Sequence, residues 1–408
     1  MMNKLELFQA ALGLPDPWRV IRTNFDPERR QLDLHLDFRP GARFPCPEGD
    51  EESCPVHDTA EKTWRHLDFF QHRAYLHARV PRLRCPEHGV RLVAVPWARP
   101  DSGFTLLFEA LAMELMAEMP VKAVADMVGE HDTRLWRVLH HYVGRARDAL
   151  SMKTVRAVGI DETSSQRGHD YVSLFVDLGV PRVIFATEGK DAATVERLAA
   201  DLKAHGGSPR AITDVCCDMS EAYIAGVASH LPKAQITFDR YHLAQLMGKA
   251  VDEVRRGEVK RRPELKGTRY IWLKRPENLT KRQADDLRFL TAKGWALVTA
   301  RAYRWRLQFD AFFDQPAAEA EAYLSRWYRG ALRSRLEPVV RFAHTVADHW
   351  EGILRWHHKR INNGILEAIN SLVQAAKRRA RGYRTKKNLI AMTYLIAGKL
   401  DLVFTHTK

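Results

Sequence analysis

The chain has 408 residues, of which 64 are Lys or Arg and 50 are Asp or Glu, so its formal net charge is +14. This length leaves room for two or three domains, and the basic balance favours a polyanionic partner, with nucleic acid first. An apolar share of 45% excludes a disordered chain. No apolar run approaches membrane-spanning length, the start lacks a signal-peptide pattern, and five unevenly placed cysteines make no disulfide framework. We therefore expect a cytoplasmic protein with no membrane partner.

Residues 1–100 predict a small β module with a structural zinc site. After a short helix at 3–13, alternating apolar residues predict a hairpin at 18–24 and 31–37. Thiolate and imidazole are preferred ligands of tetrahedral Zn²⁺, and the candidates are Cys46, Cys54, Cys85 and His88. Cys54 and His57 repeat the Cys-x₂-His spacing of Cys85 and His88, so His57 competes with Cys46 for a place. The first pair is looser, because Gly49 stands where a cysteine would be expected. The alternative is three reduced cysteines under a loop.

Residues 101–150 predict a helix-turn-helix DNA-binding domain. Helical apolar periodicity covers 104–119, and two further helices are predicted within 119–143 around a turn at Gly129. Arg134, Arg137 and His140 fall outside the predicted apolar face, where they are available to base edges or phosphates. The alternative is an ordinary helical hairpin packed on its neighbours.

From residue 155 the pattern changes to short strands that alternate with helices. Three strands joined by tight turns, followed by alternating helix and strand, is the order of a ribonuclease-H-like fold, in which the first and fourth strands are neighbours. We expect this mixed α/β catalytic domain to occupy 151–239 and 361–408, with a helical insertion at 240–360 whose tryptophans belong to its core. The predicted strands are 154–160, 171–178, 181–187, 210–217 and 234–238, with helices at 191–204 and 220–229.

Three acids occur where acids are usually avoided. Asp161 and Asp218 each follow a buried strand, and Glu367 lies in a helix predicted at 363–380. A carboxylate at the end of a core strand costs desolvation free energy unless a cation or several donors meet it. Brought together, the three would form an oxygen-ligand site for Mg²⁺ or Mn²⁺. The alternative is three unrelated surface acids.

The predicted C-terminal helix passes from its acid into a basic run. A helical period puts Glu367, either Asn370 or Ser371, Gln374 and Arg378 on one face. This pattern is typical of a helix that holds a metal and lies along a phosphate backbone. The candidate DNA contacts of the helix are Lys377, Arg378, Arg379 and Arg381. A solvated charged face is the alternative, and it explains the basic residues but not the placing of Glu367.

Several motifs closely resemble the ISL3 family of insertion-sequence transposases, and the similarity runs over essentially the whole chain. They include GIDETSSQRGHDYVSLFVD, FDRYHL, NGILEAINSLVQAAKRRARGYR and, near the start, CPVHD and RVPRLRCPEH. The resemblance implies a DDE catalytic domain behind a zinc-binding segment and a helix-turn-helix. It also implies that Asp161, Asp218 and Glu367 are the catalytic acids, and that Arg240 and His242, in a family motif with Asp239, support the site or the DNA.

The activity that the resemblance implies is metal-dependent cleavage of double-stranded DNA at terminal inverted repeats, followed by strand transfer into target DNA. Because two ends must be joined, we expect at least a homodimer on DNA, in a bacterial, nucleoid-associated protein. A structure-specific nuclease would need the acids without the N-terminal modules, and a transcriptional regulator would need the modules without the acids. The sequence carries both, which favours the transposase.

Overall fold

The computed structural model describes residues 3–49, 54–166, 168, 170–292, 296–359 and 364–404. The chain divides into two compact units, Met1–Tyr142 with Asp401–Lys408, and Val143–Leu400. Each unit contains a five-stranded sheet among its described residues.

The first unit is a β module followed by helices. Its elements are helix α1 (Lys4–Leu12), strands β1 (Trp18–Asp26), β2 (Gln31–Phe38), β3 (Val56–Phe69), β4 (His72–Cys85) and β5 (Gly89–Leu92), then helices α2 (Leu106–Glu118), α3 (Val121–Val128) and the start of α4 (Asp132–Asp148). The strand order is β1-β2-β4-β3, with β5 paired to β4. β2 runs parallel to β4, and β1 and β2 form the predicted antiparallel hairpin. Alternate residues of β2 are buried, as the sequence pattern predicted.

The turn between α3 and α4 also lies where the sequence predicted it. Gly129 has a φ of +68°, in the left-handed region that glycine adopts without strain. Val124 and Ala125 on α3, and Leu135 and Leu139 on α4, are fully buried. The two helices therefore bury apolar faces on either side of a glycine turn.

The second unit begins with a mixed sheet and two helices. Its elements are β6 (Ala157–Gln166), β7 (Asp170–Asp177), β8 (Arg182–Glu188), α5 (Ala192–Ala204), β9 (Asp214–Cys217), α6 (Glu221–His230) and β10 (Gln235–Phe238). The strand order is β10-β9-β6-β7-β8. β6, β7 and β8 are antiparallel, whereas β9 runs parallel to both β6 and β10. The first and fourth strands are thus neighbours, as predicted. The fourth begins later than the predicted residue 210, because Pro209–Ala211 form a 3₁₀ turn and proline has no N–H for the ladder.

From Arg240 onward, the secondary-structure elements that the structure describes in the second unit are helices. The helices are α7 (Arg240–Glu258), α8 (Arg269–Leu273), α9 (Lys281–Thr291), α10 (Val298–Asp310), α11 (Ala317–Leu332), α12 (Glu337–Asp348), α13 (Trp350–Lys359), α14 (Gly364–Arg379) and α15 (Lys386–Ala397). Trp272 and Trp327 are buried in the core of this region, as predicted, whereas Trp295 lies outside the described residues. Across the described segments, no helix combines the length and apolar character needed to span a bilayer.

Candidate active site

Asp161 and Asp218 lie at the same end of two neighbouring strands. The sequence placed Asp161 after its strand, but β6 continues to Gln166, because the residues beyond Asp161 pair with β7. The parallel pairing of β6 with β9 ends where Gly159 meets Cys216. Asp161 therefore lies two residues beyond the part of β6 that pairs with β9, and Asp218 directly follows β9.

Helix α14 holds one oxygen of Asp161. The side-chain amide of Asn370 donates to Asp161 Oδ2 at 3.0 Å and to the backbone oxygen of Glu162 at 3.3 Å. The other carboxylate oxygen, Oδ1, accepts the backbone N–H of Glu162 at 2.8 Å. Glu367 lies three residues before Asn370 on the same helix, so both side chains face the sheet end. Sequence reasoning left open whether residue 370 or 371 joins this face.

The polar face of α14 continues along β6. Gln374 donates to the Thr163 hydroxyl, and the Lys377 ammonium donates to the backbone oxygen of Ser164. These contacts follow residue by residue from the end of the sheet. They explain how a helix so distant in sequence is aligned with the strand.

The close approach of α14 depends on a glycine in β6. A Cβ added at Gly159 would lie 2.7 Å from Leu366 Cδ1, which is well inside van der Waals contact. Leu366, Ile369 and Val373 are the buried residues of the helix. The apolar face of α14 therefore packs on the sheet exactly where the strand has no side chain.

Two further acids stand beside the three predicted ones. Asp239 follows β10 and is 5% exposed; its Oδ1 accepts the Tyr241 N–H at 2.8 Å, and its Oδ2 lies 3.6 Å from His242 Nε2. Glu162 accepts a hydrogen bond from the Tyr223 hydroxyl at 3.3 Å. The sequence signals for them were the Asp-Glu pair in β6 and an acid directly after the fifth strand.

The acids raise one another's proton affinity. Burial raises the pKa of Asp161, opposed by the Glu162 N–H, the Asn370 amide and nearby His242. Burial, then the charges of Asp218 and Asp161, raise the pKa of Glu162. Partial burial, then the charge of Asp239, raise the pKa of Glu367. A site that crowds carboxylates in this way favours a bound cation.

Among the described residues, His242 and Lys190 lie near this cluster and favour the charged forms of Asp161 and Glu162, respectively. In that part of the chain, no Lys or Arg forms an ion pair with Asp161, Glu162, Asp218 or Glu367. The side-chain oxygen Oδ1 of Asn370 is buried and also lacks a partner there. The carboxylate oxygens of these described acids do not all lie within 4.8 Å of one another. The donor set is nevertheless oxygen only, which fits Mg²⁺ or Mn²⁺.

A second cluster lies in the first unit. Cys46 Sγ and Cys85 Sγ lie 3.7 and 3.5 Å from His88 Nδ1. Of the residues that the structure describes, these three form the one group of His, Cys, Asp or Glu with all ligand atoms within 4.8 Å. The backbone N–H and side chain of His88 lower the pKa of the Cys85 thiol to about 7. Thiolate and imidazole at these separations fit Zn²⁺.

Cys54 adjoins this cluster, and His57 does not. Cys54 pairs with Phe44 through two backbone hydrogen bonds, which brings it beside Cys46, and it hydrogen-bonds with Cys85. Burial, then the charge of Cys85, raise the pKa of the Cys54 thiol. His57 is exposed on β3, outside the group.

The candidate DNA contacts on α4 differ in their surroundings. Arg134 forms an ion pair with Glu130, and its guanidinium lies 4.1 Å from the ring centroid of Phe104. The side chain of Arg137 is exposed, whereas His140 is half-buried. Arg134 therefore stabilises its own unit, and Arg137 remains the most accessible of the three.

The candidate contacts in the second unit are likewise unequal. The Arg240 guanidinium lies 4.8 Å from the Phe313 ring and 5.7 Å from the Trp356 ring, and its ion pair with Asp314 is 4.0 Å long. His242 is held beside Asp239, and Lys377 is bound to the β6 backbone. Exposed side chains continue the basic run at and beyond the end of α14: Arg378, Arg379 and Arg381.

Three family models match consecutive parts of the chain. Residues 42–88 match the zinc-finger of transposase IS204/IS1001/IS1096/IS1165, and residues 93–143 match the helix-turn-helix domain of transposase family ISL3. Residues 158–393, which include every acid of the site, match a transposase model. A cysteine-histidine module, a helix-turn-helix and an acid-bearing sheet, in this order, define a transposase.

Curated relatives agree with this class. The transposase for insertion sequence element IS1557 of Mycobacterium tuberculosis is 28% identical over 370 residues, covering 82% of this chain and 81% of the relative. The transposase for insertion sequence element IS1001 of Bordetella parapertussis is 27% identical over 378 residues, covering 88% of this chain and 91% of the relative. The chain belongs to the ISL3 family of transposases.

Proposed function

We propose that this transposase cleaves DNA at the ends of its insertion sequence and transfers the freed strands to target DNA, with a ribonuclease-H-like catalytic domain and a helical insertion. One observation carries the proposal. Asp161 and Asp218 lie at the same end of neighbouring strands, Glu367 is close enough to Asp161 for their charges to interact, and no described Lys or Arg forms an ion pair with these acids. The strand order β10-β9-β6-β7-β8 supports the same fold assignment.

The three acids act as metal ligands in this proposal. Asp161, the acid that Asn370 orients, would hold the divalent ions together with Asp218 and Glu367 through their carboxylate oxygens. Bound Mg²⁺ or Mn²⁺ activates a water or 3′-hydroxyl and stabilises the leaving oxygen in an in-line attack. Asn370 orients Asp161, and no side chain becomes covalently attached to DNA.

The first unit would recognise the terminal inverted repeats. Its zinc ligands are Cys46, Cys54, Cys85 and His88, a set of three thiolates and one imidazole that is typical of structural Zn²⁺. Exposed Arg137 on α4 would contact the double-stranded DNA. Joining two ends requires two catalytic sites, so we expect a homodimer or a larger assembly on DNA.

The test is cleavage of a labelled duplex that carries the element's end, in Mg²⁺ and in Mn²⁺. Nicking at the end should be lost in Asp161→Ala, Asp218→Ala and Glu367→Ala, whereas binding of the same duplex should persist. Glu196→Gln, at an exposed acid of α5, is the matched control and should cleave as the wild type does. Cleavage that survives removal of any of the three acids would contradict the assignment, and binding without cleavage by the assembled wild type would leave a regulator.

A further inference from the structure

A cleft of about 1480 Å³ opens beside the acids within the second unit. Asp239 and Glu367 line one part of the cleft. Arg256, near the other end of α7 from Asp239, lines another part together with Arg269. Of the residues that line the cleft, the catalytic scheme above uses only Glu367. The rest of the cleft has no role in that scheme.

One face of α7 forms a wall of the cleft. Its exposed members are spaced by four, four and seven residues, which places them on one side of a helix. At 1.5 Å per residue, the wall from Tyr241 to Arg256 is about 22 Å long. The exposed residues of this wall that line the cleft are Tyr241, Gln245, Lys249 and Arg256.

The cleft carries more positive than negative side chains. Its cations are Arg240, Lys249, Arg255, Arg256, Arg269, Lys274, Arg275 and Arg306, and its acids are Asp239, Asp252, Asp314 and Glu367. Asp252 is shared by three arginines, with Arg255 at 2.7 Å and both Arg256 and Arg269 at 3.5 Å. One carboxylate cannot neutralise three guanidinium groups. This part of the cleft therefore attracts a polyanion.

Tyr241 adds an aromatic surface next to the acids. It is 54% exposed, and its backbone N–H is fixed by Asp239. Its ring packs edge-to-face against His242, at 5.9 Å between centroids, which leaves most of the ring uncovered. Bases in a duplex are already stacked on one another, so an exposed ring gains stacking energy only from an unpaired base.

We infer that this cleft binds a short segment of single-stranded DNA that adjoins the bond to be cleaved. Its phosphates lie against Lys249, Arg256 and Arg269, and one of its bases stacks on Tyr241. The position of the cleaved bond rests on the proposed function of the acids. A basic wall with an interleaved aromatic ring is the surface that binds single strands without sequence preference.

The test is fluorescence anisotropy with the full chain and a labelled 12-residue oligothymidylate. A 12-residue abasic strand and a mixed-sequence hairpin duplex serve as comparison probes. Tyr241→Ala should weaken binding of oligothymidylate about tenfold, because base–aromatic stacking is removed. The abasic strand and the duplex should change less than twofold, and Tyr241→Phe should bind oligothymidylate as the wild type does.

The matched control is Phe289→Ala, at an exposed aromatic of α9 that does not line the cleft. It should leave all three affinities unchanged. The double variant Lys249→Gln with Arg256→Gln should make the slope of log K against log salt for oligothymidylate less negative by about 1.4. This is about 0.7 for each lost phosphate contact.

Equal weakening of the oligothymidylate and abasic strands by Tyr241→Ala would overturn the stacking assignment. So would an unchanged affinity for both. These binding results are independent of cleavage. If the wild type cuts duplex ends but the binding tests fail, only the assignment of the cleft is refuted. A wild type that passes them but never cuts contradicts the proposed function of the acids.

Discussion

The amide of Asn370 donates to Asp161 Oδ2 at 3.0 Å across 209 residues of sequence. Together with the Glu162 N–H, which donates to Oδ1 at 2.8 Å, this contact fixes the plane of the Asp161 carboxylate. A ligand held by such a partner binds its metal in one orientation. We therefore propose Asn370 as a positioning residue that acts through Asp161.

Removing that amide should weaken catalysis without removing an acid. Asn370→Ala should lower end cleavage by about 10- to 100-fold and raise the Mg²⁺ concentration needed for half-maximal rate, because Asp161 loses its donor. Asn370→Asp should also move the pH–rate profile toward alkaline pH, since a new negative charge raises the pKa of Asp161 further. Ser371→Ala, at an exposed neighbour, is the control. An unchanged metal requirement in Asn370→Ala would refute the positioning role.

The raised pKa of Asp161 has a consequence for stability. The folded protein binds this proton more tightly than the unfolded chain does, so the metal-free protein gains stability as pH falls through the raised pKa and is penalised above it. Asp161→Asn removes that penalty. The metal-free variant should melt above the wild type near pH 8, and the difference should disappear below the ordinary pKa of an aspartate.

Adding Mg²⁺ near pH 8 should reverse this order, because the ion stabilises the wild type by binding only its folded state. Thermal melts with and without Mg²⁺ at both pH values measure the effect. A metal-free wild type that is the more stable protein near pH 8 would show that another group compensates the charge of Asp161.

The zinc assignment predicts a metal stoichiometry. The wild type should release about one Zn²⁺ per chain on unfolding, and Cys85→Ser and His88→Ala should release much less, since structural zinc needs its full set of four ligands. His57→Ala should release the same amount as the wild type, because this side chain lies on exposed β3. A colorimetric chelator measures the release. Loss of zinc in His57→Ala but not in Cys46→Ser would show that His57, and not Cys46, is a zinc ligand.

A buried glutamate fixes the helices of the first unit. Glu109 is fully buried and accepts from Arg99 at 2.9 Å, from Ser102 at 2.6 Å and from the Tyr142 hydroxyl at 2.9 Å. Glu109→Ala would leave these donors unpaired in a dry site, so the free energy of unfolding should fall by about 3 kcal/mol.

Urea denaturation measures this loss, and Glu114→Ala, at an exposed acid of the same helix, should change it by less than about 0.5 kcal/mol. Duplex binding should fall together with stability in Glu109→Ala. A variant that unfolds at the wild-type urea concentration would show that the buried hydrogen bonds are replaced.

The sequence was sufficient for the pairing of β6 with β9, because two buried runs and the order of strands and helices define that neighbourhood. It was not sufficient for the choice between Asn370 and Ser371, since that depends on the rotation of α14 about its axis. The rotation is determined by the fit of Leu366 over Gly159, between residues far apart in the chain.

The zinc ligands show the same limit. Residue spacing allowed either Cys46 or His57 as a zinc ligand, because Cys54 and His57 repeat the Cys-x₂-His spacing of Cys85 and His88. The backbone pairing of Phe44 with Cys54 directs the chain so that Cys46 meets His88, and a pairing between two irregular segments leaves no periodic pattern in sequence. Glu162 was overlooked for another reason: its neighbour Asp161 explained the strand position by itself.

The docking of α14 on β6 also has a genetic consequence. The third acid and the amide that orients the first are encoded together downstream of the helix-turn-helix, on one helix three residues apart. A frameshift or premature stop upstream of Gly364 therefore removes both at once and leaves the codons of the helix-turn-helix intact. Under the proposed function, one such mutation abolishes cleavage while the DNA-binding helices are still encoded.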